Sequence, residues 1–196
     1  MPPHRRRLPH AYPDNTPLFL TWHLHGSVTA SLLPPPGSLT PGQASVWLDR
    51  QLDTARKGPM YLRQPQIAEI VVASIRKGAE LEHYDLAAYV VMANHVHLLI
   101  VPKIAPDRLM RSLKGSTARE ANRLLGRTGE PFWQKESSDH WVRNRVELER
   151  IRNYIENNPV QAGLVRTAGD YRWSRARTGG PAGFGKPPWS EQLQVP

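Results

Sequence analysis

The sequence predicts an α+β fold of two layers, an antiparallel sheet with helices on one face. Two observations carry that expectation. "YDLAAYVVM" and "HVHLLIV" are apolar runs of strand length separated only by Ala93 and Asn94, which joins them as an antiparallel hairpin. Around them, segments with apolar residues three and four apart alternate along the chain with further strand-like runs, and there is no internal repeat. With 196 residues and 39% hydrophobic content the chain is long enough for one core. The expected organisation is a basic arm over 1–17, one domain over 18–176 and a Gly/Pro-rich tail over 177–196.

Taken in order, "LFLTWHLH" is a strand bounded by Pro17 and Gly26, followed by the loop "LLPPPGSLTPG". Thr40 is placed to cap a helix with Pro41 at its first position and Gly58 closing it. A second helix fits "QIAEIVVASIRK", ended by Gly78, and the hairpin follows. A basic helix from about Asp107 to Leu125 has Leu109, Leu113, Ala121 and Leu124 as its apolar side. "DHWV" makes a short strand. The last helix is capped by Asn144, with Glu147 at the reciprocal capping position and Leu148, Ile151 and Ile155 as its buried stripe. Asn157, Asn158 and Pro159 are expected to stop it.

Lys and Arg number 26 against 17 Asp and Glu, a net charge of +9 that favours a polyanionic partner. Much of the excess lies in Lys103, Arg108, Arg111, Lys114, Arg119, Arg123 and Arg127, with only Asp107 and Glu120 between them. Such a run is either a solvated helix face or a phosphate-tracking surface. Without cysteine, disulfides and thiolate metal sites are excluded. No apolar stretch of signal or membrane-spanning length is found, so a cytoplasmic protein without membrane attachment is expected.

His95 and His97 stand two apart on a strand and therefore share one face, while Val96, Leu98 and Ile100 share the other. Two such imidazoles fit either a metal site or hydrogen bonds to backbone and water. A second His-hydrophobic-His occurs at His23 and His25. Tyr154 and Asn158, four apart, project from one side of the last helix. They fit a nucleophilic phenol beside an amide metal ligand, or a tyrosine at the edge of the core.

"YVVMANHVHLLIVP", "FWQKESSDHWVRN", "ELERIRNYIENNPVQAGLV" and "DYRWSRA", in that order, resemble the single-tyrosine HUH transposases, above all the REP-associated tyrosine transposases. With "LFLTWHLHGS" the similarity extends from Leu18 to Ala176. It implies a ferredoxin-like core and an enzyme that cuts and rejoins single-stranded DNA through a covalent 5′-phosphotyrosine intermediate, with Mg²⁺ or Mn²⁺. Carried over, His95 and His97 are the metal ligands, Tyr154 is the nucleophile and Asn158 is the remaining polar ligand. His23 and His25 take structural roles. The implied partner is single-stranded or hairpin DNA, tracked by Arg5, Arg6, Arg7 and the basic helix, with Trp133 or Trp141 as core residues or stacking platforms. Relatives of this kind occur as monomers and as homodimers.

Two rival readings follow from the same residues. "NHVHLLIVP" is also similar to histidine-triad nucleotide hydrolases, but Leu99 stands where their third alternating histidine belongs. The other rival is an inactive or domesticated relative that binds hairpins without cutting them, against which the complete set of His95, His97, Tyr154 and Asn158 argues.

Overall fold

The computed structural model describes residues 15–28, 41–54 and 58–176. The arm with Arg5, Arg6 and Arg7, the Thr40 cap and the tail lie outside the described residues. Strand β1 (Leu18–His23) is followed by helix α1 (Pro41–Thr54), α2 (Pro65–Glu80), β2 (Tyr84–Val91), β3 (His95–Pro102), α3 (Pro106–Leu124), β4 (Ser138–Trp141) and α4 (Arg145–Gln161). The four strands form one antiparallel sheet in the order β2-β3-β1-β4. With α1 and α4 set aside, this is the βαββαβ arrangement of a ferredoxin-like core.

Side-chain alternation sorts the sheet into two faces. Leu18, Leu20 and Trp22 of β1 and Val96, Leu98 and Ile100 of β3 join Ile67, Val71 and Ile75 of α2 and Leu109 and Leu113 of α3 in the larger core. The other face carries a second core, in which Ala88, Val90, Leu99 and Val101 meet Leu148, Ile151 and Ile155 of α4. The expectation of helices on one face therefore holds for α2 and α3 and fails for α4. β3 is apolar on both sides apart from its two histidines, and a strand with two apolar faces needs cover on both.

Local signals explain most element ends, with two corrections. Gly78 does not end α2, which continues to Glu80. A Cβ at Gly78 would lie 2.5 Å from Tyr84 Oη, so glycine there is required by the tyrosine ring that crosses the helix. That hydroxyl donates to the Ile75 carbonyl at 2.6 Å. Nor does Pro159 stop α4, which runs to Gln161. The stop is Gly163, at φ +69°, where the Gly163 amide donates to the Val160 carbonyl and the Leu164 amide to the Pro159 carbonyl. These two bonds satisfy the Val160 and Pro159 carbonyls, and only glycine takes that backbone angle without cost. At the other end Asn144 Oδ1 accepts from the Glu147 amide at 2.9 Å, while the Glu147 carboxylate accepts from the Arg143 amide at 2.8 Å. Among the described residues no helix is long and apolar enough to cross a membrane.

Candidate active site

Register brings the histidines into one plane of the sheet: Thr21 of β1 lies opposite His97, and His23 lies opposite His95. Directly opposed residues share a face, so these side chains all point toward the α4 side. His95 and His97 are both fully buried, with ring centroids 4.7 Å apart. Apolar surroundings cannot satisfy ring nitrogens, and each imidazole is held by one specific polar partner.

For His95 that partner is Asn94. The Asn94 Nδ2 group donates to the Leu52 carbonyl at 3.0 Å, which fixes the amide oxygen as an acceptor for His95 Nδ1 at 2.7 Å. A proton is thereby placed on Nδ1, and Nε2 is the ring atom that faces the site. His97 Nδ1 meets the Thr21 hydroxyl at 2.8 Å. Burial, with His95 beside it, holds the His97 imidazole well below the usual histidine range, so it is neutral near pH 7. Both Nε2 atoms lack a hydrogen-bond partner, as do Asn158 Oδ1 and Asp53 Oδ1.

α4 brings Tyr154 and Asn158 to this plane. Leu148, Ile151 and Ile155 pin the helix onto β2 and β3, and the Tyr154 ring packs edgewise on His97 with centroids 5.4 Å apart and on Phe19 at 6.4 Å. Asn158, one turn on, is fully buried. All four residues read from the sequence as metal ligands or nucleophile therefore meet on one side of the sheet.

The cations sort differently. Arg108, Arg111, Arg119 and Arg123 are exposed on α3, which covers the opposite sheet face, so the structure does not bring them to the histidines. Lys103 pairs with Asp85 at 2.8 Å. Lys114 is not turned outward: its ammonium donates to the Gln134 and Lys135 carbonyls at 2.6 and 2.9 Å, and burial lowers its pKa to about 8. Trp133 is a core residue, packed edgewise on Trp22 and Phe132 and donating to Thr117 Oγ1 at 2.9 Å. His23 is half-buried and bonded to the Leu24 carbonyl, while His25 is exposed.

Three residues near the site have no sequence signal of their own. Asp53 approaches His95 Nε2 to 3.3 Å from α1, and Asn158 Nδ2 donates to its other oxygen at 3.3 Å. Asn94 reads only as a hairpin turn. Arg63 lines a cavity of about 350 Å³ together with Asp53, His95, Met60, Met92 and Leu164. Nothing in the local pattern of α1 or of the turn near residue 63 connects either residue to a histidine on β3.

The donor set suits a divalent ion. Two adjacent imidazoles whose Nε2 atoms are buried without a hydrogen-bond partner, and a buried amide oxygen in the same condition, are donor types that bind a divalent cation. No three His, Cys, Asp or Glu side chains among the described residues form an ion cage by themselves, so the amide is needed.

A family model described as "Transposase IS200 like" matches residues 59–158. Among solved structures, a REP-associated tyrosine transposase bound to a REP hairpin matches with a TM-score of 0.55 at 19% identity, covering 91% of this chain and 84% of that one. At that identity the likeness concerns the fold. A crystal structure from Deinococcus radiodurans R1, described as a transposase candidate, is more distant, with a TM-score of 0.39 and 17% identity over 78% of this chain and 97% of that one. No curated protein matches the chain.

Proposed function

The chain belongs to the IS200-like transposase family, and on that premise we propose that it cleaves and rejoins single-stranded DNA beside a hairpin through a covalent bond to Tyr154. The observation that carries the reading is the packing of the Tyr154 ring on His97, 5.4 Å between centroids, with the buried Asn158 amide one turn further along the same helix. The domain that does this spans 18–176. His95, His97 and Asn158 hold the ion, Mg²⁺ or Mn²⁺. When bound, the ion supplies Lewis-acid polarisation of a nonbridging phosphate oxygen.

The chain's own residues do the rest. Asn94 and Thr21 hold the two imidazoles by their Nδ1 atoms, which directs each Nε2 into the site. Phe19 and His97 fix the Tyr154 ring from two sides, so its phenol approaches from one direction. The phenol oxygen attacks the phosphorus in line, the bond from phosphorus to the 3′ oxygen breaks, the phenol loses its proton and the 3′ oxygen gains one. The 5′-phosphotyrosine link conserves the bond energy, so a 3′-hydroxyl reverses the step without ATP. His95, His97 and Tyr154 meet within one chain.

Hairpin DNA is the partner we infer, as for the REP-associated transposase that shares the fold. The exposed arginines of α3 track its phosphates at a distance from the chemistry. The test is a labelled hairpin oligonucleotide with single-stranded flanks, incubated with Mn²⁺ or Mg²⁺. Cleavage to a free 3′-hydroxyl that stops with a chelator and with His97→Ala is the expected result. Tight hairpin binding without cleavage under either ion overturns the proposal in favour of a binding protein.

A further inference from the structure

Asp53 touches both His95 and Asn158. Its Oδ1 lies 3.3 Å from His95 Nε2 without forming a hydrogen bond, and its Oδ2 accepts from Asn158 Nδ2 at 3.3 Å. The carboxylate is mostly buried, at 15% exposure, and the imidazole beside it is fully buried. Asn94 Oδ1 takes up His95 Nδ1, so Nε2 is the ring atom that faces the carboxylate. His95 Nε2 and Asp53 Oδ1 are both buried without a hydrogen-bond partner, and a cation between them would satisfy both. Two donors each about 2.1–2.3 Å from one ion and at right angles to one another are about 3.0–3.3 Å apart, the separation found here.

We propose that Asp53 of α1 is a further ligand of the ion, donating a carboxylate oxygen beside His95, His97 and Asn158. This rests on the metal reading above. Asp53 lies ahead of the residues that the family model matches, 59–158. His95, His97 and Asp53 do not form a cage on their own. The Asn158 amide, already bonded to Asp53, joins them. The charge argument points the same way: two neutral imidazoles and an amide leave a buried divalent ion uncompensated, and one carboxylate removes half of that charge. A hard oxygen also suits Mg²⁺ and Mn²⁺ better than nitrogen does. The tie from Asn94 to the Leu52 carbonyl holds the end of α1 against the start of β3, which keeps Asp53 in reach.

The experiment is calorimetric titration of the full chain with Mn²⁺, without DNA, for wild type, His97→Ala, Asp53→Asn and Asp53→Ala. Circular dichroism establishes that each variant is folded, and the visible spectrum of bound Co²⁺ serves as a second readout. The expected result is Mn²⁺ binding at least about tenfold weaker in both Asp53 variants, with a displaced Co²⁺ band in Asp53→Asn. Asp53→Asn keeps the shape of the side chain, so weakening there reflects the lost charge and not a disturbed helix. Wild-type affinity and an unchanged Co²⁺ spectrum in the Asp53 variants, with binding still lost in His97→Ala, overturn this inference and leave the metal reading standing. Absence of Mn²⁺ binding by wild type overturns both.

Discussion

Asn94 performs two tasks with one amide, tying α1 to the hairpin and setting the tautomer of His95. Its role was illegible in the sequence because a turn asparagine needs no other explanation. The two-residue spacing put His95 and His97 on a common strand face and the four-residue spacing put Tyr154 and Asn158 on one side of a helix, while the roles expected of them came only from the family resemblance. Asp53 was not legible, because its partners lie about forty and a hundred residues away in a different element. Lys114 shows the opposite failure: its charge suggested a surface role, and its ammonium is turned onto two loop carbonyls. Burial lowers its pKa to about 8 from an ordinary 10.5, opposed by Glu136. Below pH 8 both the folded and the unfolded chain hold this proton. Between pH 8 and 10.5 the unfolded chain holds it and the folded chain releases it, so stability gains with pH across that window. The unfolding free energy of wild type relative to Lys114→Met is expected to rise from about pH 8 to about pH 10 in urea titrations; a constant difference would show that the ammonium is not destabilised by its surroundings.

Among the elements, α2 and α4 show where local signals were misread and why. Gly78 and Pro159 are helix breakers by propensity, yet both lie inside helices. Gly78 is there for the Tyr84 ring, which no sequence rule places on it. Gly78→Ala must push that ring or the helix aside, and the expected loss is about 1–3 kcal/mol in chemical denaturation. A loss below about half a kcal/mol, within the range of ordinary surface substitutions, would mean that the tyrosine moves freely. α4 is the element on which the site depends, because its stripe of Leu148, Ile151 and Ile155 fixes the height at which Tyr154 meets His97. That stripe was read correctly from its spacing. Its docking face was not, since amphipathicity says which side of a helix is buried but not against which side of a sheet.

At the scale of the whole molecule, the arginines of α3 and the two histidines lie on opposite sides of the sheet. The hairpin and the alternation of strands with helices were visible in the chain. That α3 and α4 cover opposite sides of the sheet was not visible there. Arg108, Arg111, Arg119 and Arg123 stand exposed on the side away from the histidines. Replacing all four by Gln is expected to weaken hairpin binding and to flatten its dependence on salt by about 0.7 logarithmic units for each phosphate no longer neutralised. Cleavage of saturating substrate is expected to continue at its former rate. A collapse of that rate would place the α3 surface at the scissile phosphate and contradict the separation of faces.

The proposed function stands or falls on a bond between Tyr154 and DNA. The most direct measurement is to react the protein with a hairpin oligonucleotide and Mn²⁺, denature it, digest the covalent adduct and locate the nucleotide by mass spectrometry. The account predicts a nucleotide-bearing peptide containing Tyr154, absent from Tyr154→Phe and from samples with chelator. An adduct on another residue, or one that survives in Tyr154→Phe, would contradict it.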